Sequence, residues 1–172
     1  MRYLKLLLIC FLISSNTYSQ EVNDFTLPSV TNNSSFTLSK SKGKFVVLHF
    51  LLKTECPYCI RHTNEYFEKA STLPNVIQVF IKPDNENEIK EWVNKLAPQN
   101  ASAFPIFQDV DAKLADMFKI PSDYAFHGQI VHYPALIIIN EKGEEVFRYI
   151  GKNNSDRFSF EKLKLKLDEL KK

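Results

Sequence analysis

Several things are scarce in this chain, and each shortage removes a class of function. Charge of one sign is scarce: 22 Lys and Arg face 20 Asp and Glu over 172 residues, leaving a formal net charge of +2. The basic residues are scattered rather than gathered into a stripe, which excludes a nucleic-acid groove. Long apolar runs are scarce too. The run from Leu6 to Ile13 is well short of the about 20 residues that cross a bilayer. No internal repeat, low-complexity stretch or interdomain linker interrupts the chain, so one domain with a real core accounts for its length. Cysteine is limited to Cys10, Cys56 and Cys59. A structural zinc needs roughly four ligands, and no second cysteine pair accompanies Cys56 and Cys59.

What is present begins with an export signal. Arg2 and Lys5 precede the apolar run, polar Ser14, Ser15 and Asn16 follow it, and small Ser19 sits before Gln20. A basic segment, a short apolar segment and a small residue at the break are the pattern of a secretory signal peptide. Residues 1–19 are therefore expected to be removed, leaving 20–172 as one domain outside the cytoplasm; a retained anchor is the alternative. Cys10 lies inside the apolar run and goes with the discarded segment. The remaining pair, three positions apart, would close too short a loop to restrain the unfolded chain much. Its purpose is chemical rather than structural, and an oxidising compartment permits it.

The apolar pattern predicts an α/β domain. Lys44–Leu52 (KFVVLHFLL) is a near-continuous apolar run suited to a strand buried on both faces. A helix from Pro57 to about Ala70 and a strand over Val76–Ile81 complete a strand–helix–strand unit. Ile89, Trp92, Val93 and Leu96 fall on one helical face, with Asp84 or Asn85 as cap and Pro98 as stop. A short strand at Pro105–Phe107, a short helix at Ala112–Phe118 and a loop over Pro121–His132 follow. Strands at Ala135–Asn140 and Glu145–Ile150 turn through Gly143. Phe160, Leu163, Leu167 and Leu170 share one helical face and the Lys-rich end favours a terminal helix, with a strand the alternative because Leu163, Leu165 and Leu167 alternate. The 20–41 segment reads as an N-terminal extension or hairpin. A parallel unit completed by an antiparallel hairpin gives a mixed central β-sheet flanked by helices, with an inserted α–β–α segment.

The chemistry is expected at Cys56-Pro57-Tyr58-Cys59. Pro57 suits the first helical turn, where its missing N–H costs nothing. Cys56 then sits at the positive end of the helix dipole, which lowers its pKa and makes it the attacking and more exposed sulfur. Cys59, one turn in, can attack the mixed disulfide and release the substrate. No cofactor is needed beyond the Cys56–Cys59 disulfide itself, and no metal is expected.

These features resemble the thioredoxin-like superfamily, and more narrowly the exported redoxins related to thiol-specific antioxidant and cytochrome-maturation thioredoxins. The resemblance rests on Phe25-Thr-Leu-Pro28, on Gly43–Phe50 leading into the cysteine pair, and on Tyr133-Pro134 opening a strand. It implies a thioredoxin fold and a thiol–disulfide oxidoreductase acting on protein disulfides or dithiols, with an electron donor or acceptor such as a membrane thiol carrier. It further implies a periplasmic location, a cis peptide before Pro134 beside the dithiol, and a substrate-docking backbone at Tyr133; Pro57 and Tyr58 border the same substrate site. The Pro-Tyr pair is similar to that of glutaredoxins, which implies a potential between about −270 mV and about −120 mV, the extremes of this fold.

The sequence departs from the family at several points. Glu55 stands where thioredoxins commonly have Trp; aimed at the sulfur it would raise the thiol pKa, and in solvent it would do nothing. His49 falls near the usual place of a buried acid and is either a proton acceptor for Cys59 or a strand histidine satisfied by the backbone. His62 reads as a surface residue, and His132 as a neighbour of the dithiol rim. Peroxidases of the peroxiredoxin class carry P-x-x-x-[ST]-x-x-C, whereas here His49 and Lys53 occupy those positions before Cys56, and Leu52 and Cys56 before Cys59. A copper carrier using both thiols with His127 or His132 is the non-enzymatic alternative.

Overall fold

The computed structural model describes residues 20–53, 56–97 and 105–172. Its centre is a six-stranded sheet in the order β1-β10-β9-β4-β5-β6. The strands are β1 (Gln20–Glu21), β4 (Phe45–Phe50), β5 (Val76–Lys82), β6 (Ile106–Gln108), β9 (Ala135–Ile139) and β10 (Glu144–Ile150). β4, β5 and β6 run parallel, while β9 is antiparallel to β4, and β10 to β9. This is the expected mixed sheet. The near-continuous apolar run becomes β4, the strand between β9 and β5, and all six of its residues are buried.

Strand alternation sends β4 side chains to two different layers. Phe45 and Val47 meet the helices α1 (Pro57–Lys69), α2 (Glu86–Val93) and α4 (Phe160–Leu170) through Tyr66, Phe67, Trp92, Leu163 and Leu167. Val46, Leu48 and Phe50 meet the ribbon of β2 (Thr26–Pro28) and β3 (Ser35–Thr37), together with α3 (Lys113–Met117). α2 carries the expected cap: the Asn85 side chain accepts from Glu88 N–H, and the Glu88 carboxylate accepts from Asn85 N–H. Leu96 is buried beyond the end of this helix, and Pro98 lies outside the described residues. The terminal segment is a helix, capped by Ser159. Among the described residues no helix is long and apolar enough to cross a membrane.

One expectation is corrected. The stretch expected as a loop over Pro121–His132 contains the hairpin β7 (Tyr124–Phe126) and β8 (Gln129–Val131). His127 and Gly128 both have positive φ, 48° and 74°, which is what a two-residue type I′ turn requires; histidine is an unusual residue there, and the signal was missed. The N-terminal segment holds the expected hairpin, β2 with β3, and β1 adds an edge strand to the sheet beside β10.

Candidate active site

The dithiol sits where the chain leaves β4. The ladder runs one residue past the strand, Leu51 N–H donating to Ile81 C=O at 2.9 Å, and Leu52 C=O then accepts from Lys82 Nζ at 2.8 Å. Cys56 is the N-cap of α1 and Pro57 its first residue, as expected. The Cys56 carbonyl accepts from the N–H groups of Cys59 (3.0 Å) and Ile60 (3.3 Å), and its sulfur accepts from Cys59 N–H at 3.3 Å. Both cysteines are free thiols. Tyr58 is half-buried, with the Arg61 guanidinium 4.8 Å above its ring. Glu55 lies outside the described residues.

The two sulfurs differ in acidity in the expected sense. A hydrogen bond from the Cys59 thiol holds the Cys56 thiol down at about 6; burial opposes this, and the Arg157 charge and Cys59 N–H add to it. Burial pushes the Cys59 thiol well up, and the hydrogen bond it gives to Cys56 pushes the same way. The expected difference in exposure is corrected, because both residues are 0% exposed. Acidity here comes from partners in a closed site, not from contact with water.

The partner that sequence reading missed is Arg157. Its Nη2 lies 3.1 Å from Cys59 Sγ and 3.4 Å from Cys56 Sγ, donating to both sulfurs. Its Nε and Nη1 are buried without hydrogen-bond partners, and among the described residues it makes no ion pair with a carboxylate. A thiolate is therefore its natural counter-ion.

The segment between β10 and α4 that carries Arg157 is tied down at several points. Gly151 N–H donates to Pro134 C=O at 2.8 Å, and the Asn153 side chain accepts from Ser155 and Asp156 N–H. Asp156 accepts from Tyr149 O–H and from Lys152 N–H, and Tyr66 O–H donates to Phe158 C=O at 2.7 Å. Any Cβ at Gly151 would collide with the Asp156 carbonyl oxygen, so only glycine fits. A signal was there to read: this is one of four arginines in a Lys-rich chain, set in a turn-forming Asn153-Asn-Ser-Asp-Arg157 run, and only arginine offers a planar fork of donors.

The histidines fall differently from expectation. His62 is buried, not on the surface. Cys59, His62, Thr63, Tyr66 and Phe67 form the inward stripe of α1, spaced i, i+3, i+4, i+7 and i+8. His49 is satisfied by side chains rather than backbone: Nε2 meets Gln78 Oε1 at 2.7 Å, and Nδ1 meets His62 Nε2 at 3.1 Å. An amide oxygen only accepts, so His49 Nε2–H donates, and His49 Nδ1 accepts from His62 Nε2–H. Burial holds His49 down at about 4 and His62 well below its usual value. Both rings are neutral, and His49 has no nitrogen left for a thiol proton. His132 is buried, and its Nδ1–H donates to Tyr133 C=O at 2.7 Å rather than to a sulfur.

Tyr133 and Pro134 require the largest correction. No peptide bond among the described residues is cis, so the bond before Pro134 is trans. The Tyr133 backbone is already engaged: its N–H donates to Pro121 C=O at 2.9 Å, and its C=O receives His132. Pro134 does come close to the site, sharing with His62 and Arg157 a cavity of about 10 Å³ that is too small for a substrate. A cavity of about 380 Å³ lined by Asp24, Lys42, Val46 and Lys142 includes Val46 of β4, near the start of that strand, whereas the dithiol follows its end. Among the described residues no group of three or more His, Cys, Asp or Glu is placed to hold a metal ion, so the copper ligand set is not assembled there.

Comparison with known proteins places this site in a family context. The AhpC/TSA family profile matches residues 18–146. No curated protein sequence matches the chain. Among solved structures, the exposed lipoprotein thioredoxin Etrx1 of Streptococcus pneumoniae superposes with a TM-score of 0.67 at 22% identity, covering 86% of this chain and 99% of that one. AhpC of Enterococcus faecalis gives 0.74 at 18% identity, with 91% and 93% covered. A putative protein disulfide isomerase of Bacteroides thetaiotaomicron gives 0.58 at 16% identity, with 88% and 86% covered. These likenesses establish the thioredoxin-like fold.

Proposed function

This chain belongs to the AhpC/TSA family of thiol redox proteins, and from that premise we propose that it exchanges disulfides with protein substrates outside the cytoplasm through Cys56 and Cys59. The observation that carries the proposal is the single Arg157 nitrogen donating to both sulfurs at the start of α1. The Cys56 thiolate attacks a substrate disulfide, giving a mixed disulfide and one substrate thiol. Cys59 loses its proton and attacks the Cys56 sulfur; the intramolecular disulfide forms and the second substrate thiol leaves. Atoms and electrons balance with no cofactor. The same contacts that stabilise the thiolate stabilise the reduced protein, and that makes the couple more oxidising. A protein or membrane thiol carrier would restore the starting state. The N-terminal pattern of Arg2, Lys5 and the Leu6–Ile13 run supports export.

A second reading has one observation in its favour. With both sulfurs fully buried, a small peroxide reaches Cys56 more easily than a protein disulfide does. In that case the Cys56 thiolate attacks one peroxide oxygen, the O–O bond breaks and hydroxide leaves, giving a sulfenic acid; Cys59 then condenses with it, forming the disulfide and releasing water. The two are separated by mixing reduced protein with an oxidised protein substrate or with hydrogen peroxide and following Cys56–Cys59 disulfide formation by mass. Faster oxidation by the protein disulfide supports exchange, and oxidation by peroxide alone overturns it.

A further inference from the structure

Lys82 is the last residue of β5, and its side chain is 0% exposed. Burying an ammonium costs several kcal/mol, and a methionine would fill the slot beside Trp92 at no such cost. The charge is nevertheless kept and held: Nζ donates to Leu52 C=O at 2.8 Å, pairs with Asp84 Oδ2 at 2.9 Å and lies 4.7 Å from the Trp92 ring centroid. Leu52, Trp92, Cys56 and Cys59 belong to one packed cluster, so the ammonium grips the chain on its way from β4 to the dithiol.

We propose that Lys82 is a positioning residue of the dithiol, whose ammonium, oriented by Asp84 and the Leu52 carbonyl, supplies the field in which Cys59 gives up its proton for the resolving step. The proposal rests on the reading of Cys59 as the resolving thiol. Cys59 is the sulfur that burial penalises most, and the Lys82 charge acts in the opposite sense, lowering it. Once Cys56 is tied up in the mixed disulfide, its own charge no longer opposes Cys59. Arg157, 3.1 Å from Cys59 Sγ, and the Lys82 charge behind the chain at Leu52 then act on a single nascent thiolate. In that step Cys59 S–H loses its proton, the Cys59–Cys56 bond forms, the Cys56–substrate bond breaks, and the departing substrate sulfur is protonated.

The test uses the opposite charges of the ion pair. In a Cys56→Ser background, the Cys59 pKa is read from ultraviolet thiolate absorbance, with no substrate present. Lys82→Met should raise it by about one unit, a tenfold loss of thiolate, whereas Asp84→Asn, which strips the lysine of its counter-charge, should lower it. A purely structural role disturbs both variants alike. Shifts of the same sign in both, or no shift in Lys82→Met, would overturn the proposal. If Lys82→Met does not fold, Lys82→Met/Asp84→Leu removes both charges and orphans neither; it too should raise the pKa, and an unchanged value overturns the proposal. Wild-type exchange is assayed separately, so a protein that never exchanges disulfides refutes the functional reading without touching the Cys59 result.

Discussion

On one side of the sheet, the β2–β3 ribbon and α3 cover Val46, Leu48, Val79, Ile81, Ile137 and Ile139 with apolar side chains. On the other side, α1, α2 and α4 cover an apolar layer of similar quality that also encloses both thiols, His49, His62 and Lys82. The buried atoms Thr63 Oγ1, Gln78 Nε2, Trp92 Nε1, Arg157 Nε and Arg157 Nη1, which have no hydrogen-bond partner, all belong to this second side. Each such group costs about 1–3 kcal/mol. The first face also buries Asp109, which accepts from Leu114 and Ala115 N–H at the start of α3, and His132 against the Phe50 ring, but neither thiol of the pair. The second gives up stability to hold charge and dipoles against a sulfur, the usual arrangement where a pKa must be moved.

The contrast can be broken in four ways. Leu48→Ala on the apolar face should have the largest effect on folding, with a loss of about 3 kcal/mol by denaturant titration, and Cys56 alkylation should be unchanged. A changed thiol reactivity would mean the faces are coupled.

The histidine pair should give the dithiol face a marked acid sensitivity, to which His132 on the other face, also held down by burial, adds in the same direction. The His49 folded pKa, about 4, lies below its unfolded value of 6.5, and His62 is depressed in the same direction. The unfolded chain therefore binds more protons between these values. Stability from the neutral rings is complete above pH 6.5 and falls as pH drops towards 4, by on the order of 3 kcal/mol for His49. Thermal melts across this range should show the slope in the wild type and a flatter one in His49→Phe/His62→Leu. Equal slopes would show that the rings do not set it.

Much of this architecture was legible in the sequence. The β4 run, the β5 and β9 strands, the Asn85 cap and the placement of Cys56 and Pro57 follow from local pattern, because each is decided by neighbours within one or two turns. The site was only half legible. Arg157 lies about a hundred residues from Cys56 along the chain and reaches it only because Tyr66, Pro134 and Gly151 fix the segment that carries it. Read singly, His62 looks like a surface residue, although the α1 stripe of Cys59, Thr63, Tyr66 and Phe67 puts it inside. The Tyr133 docking edge was expected from resemblance, and the internal bonds to Pro121 and His132 could not be read from residue types.

A smaller effect, confined to chemistry, is expected from Arg157→Met. Losing a hydrogen bond between charged groups, worth about 1.5–3 kcal/mol, should raise the Cys56 pKa by roughly one to two units. Alkylation at neutral pH should slow by up to about tenfold, with the melting temperature little changed. An unaltered rate would remove Arg157 from the mechanism.

The most direct test of the whole account is site-resolved alkylation of the reduced wild-type protein across pH, with the labelled cysteine identified by mass spectrometry. Cys56 should become reactive with an inflection near 6 while Cys59 stays unreactive well above its ordinary range. An inflection for Cys56 at the ordinary thiol value of about 8.5, or labelling of Cys59 first, would contradict it.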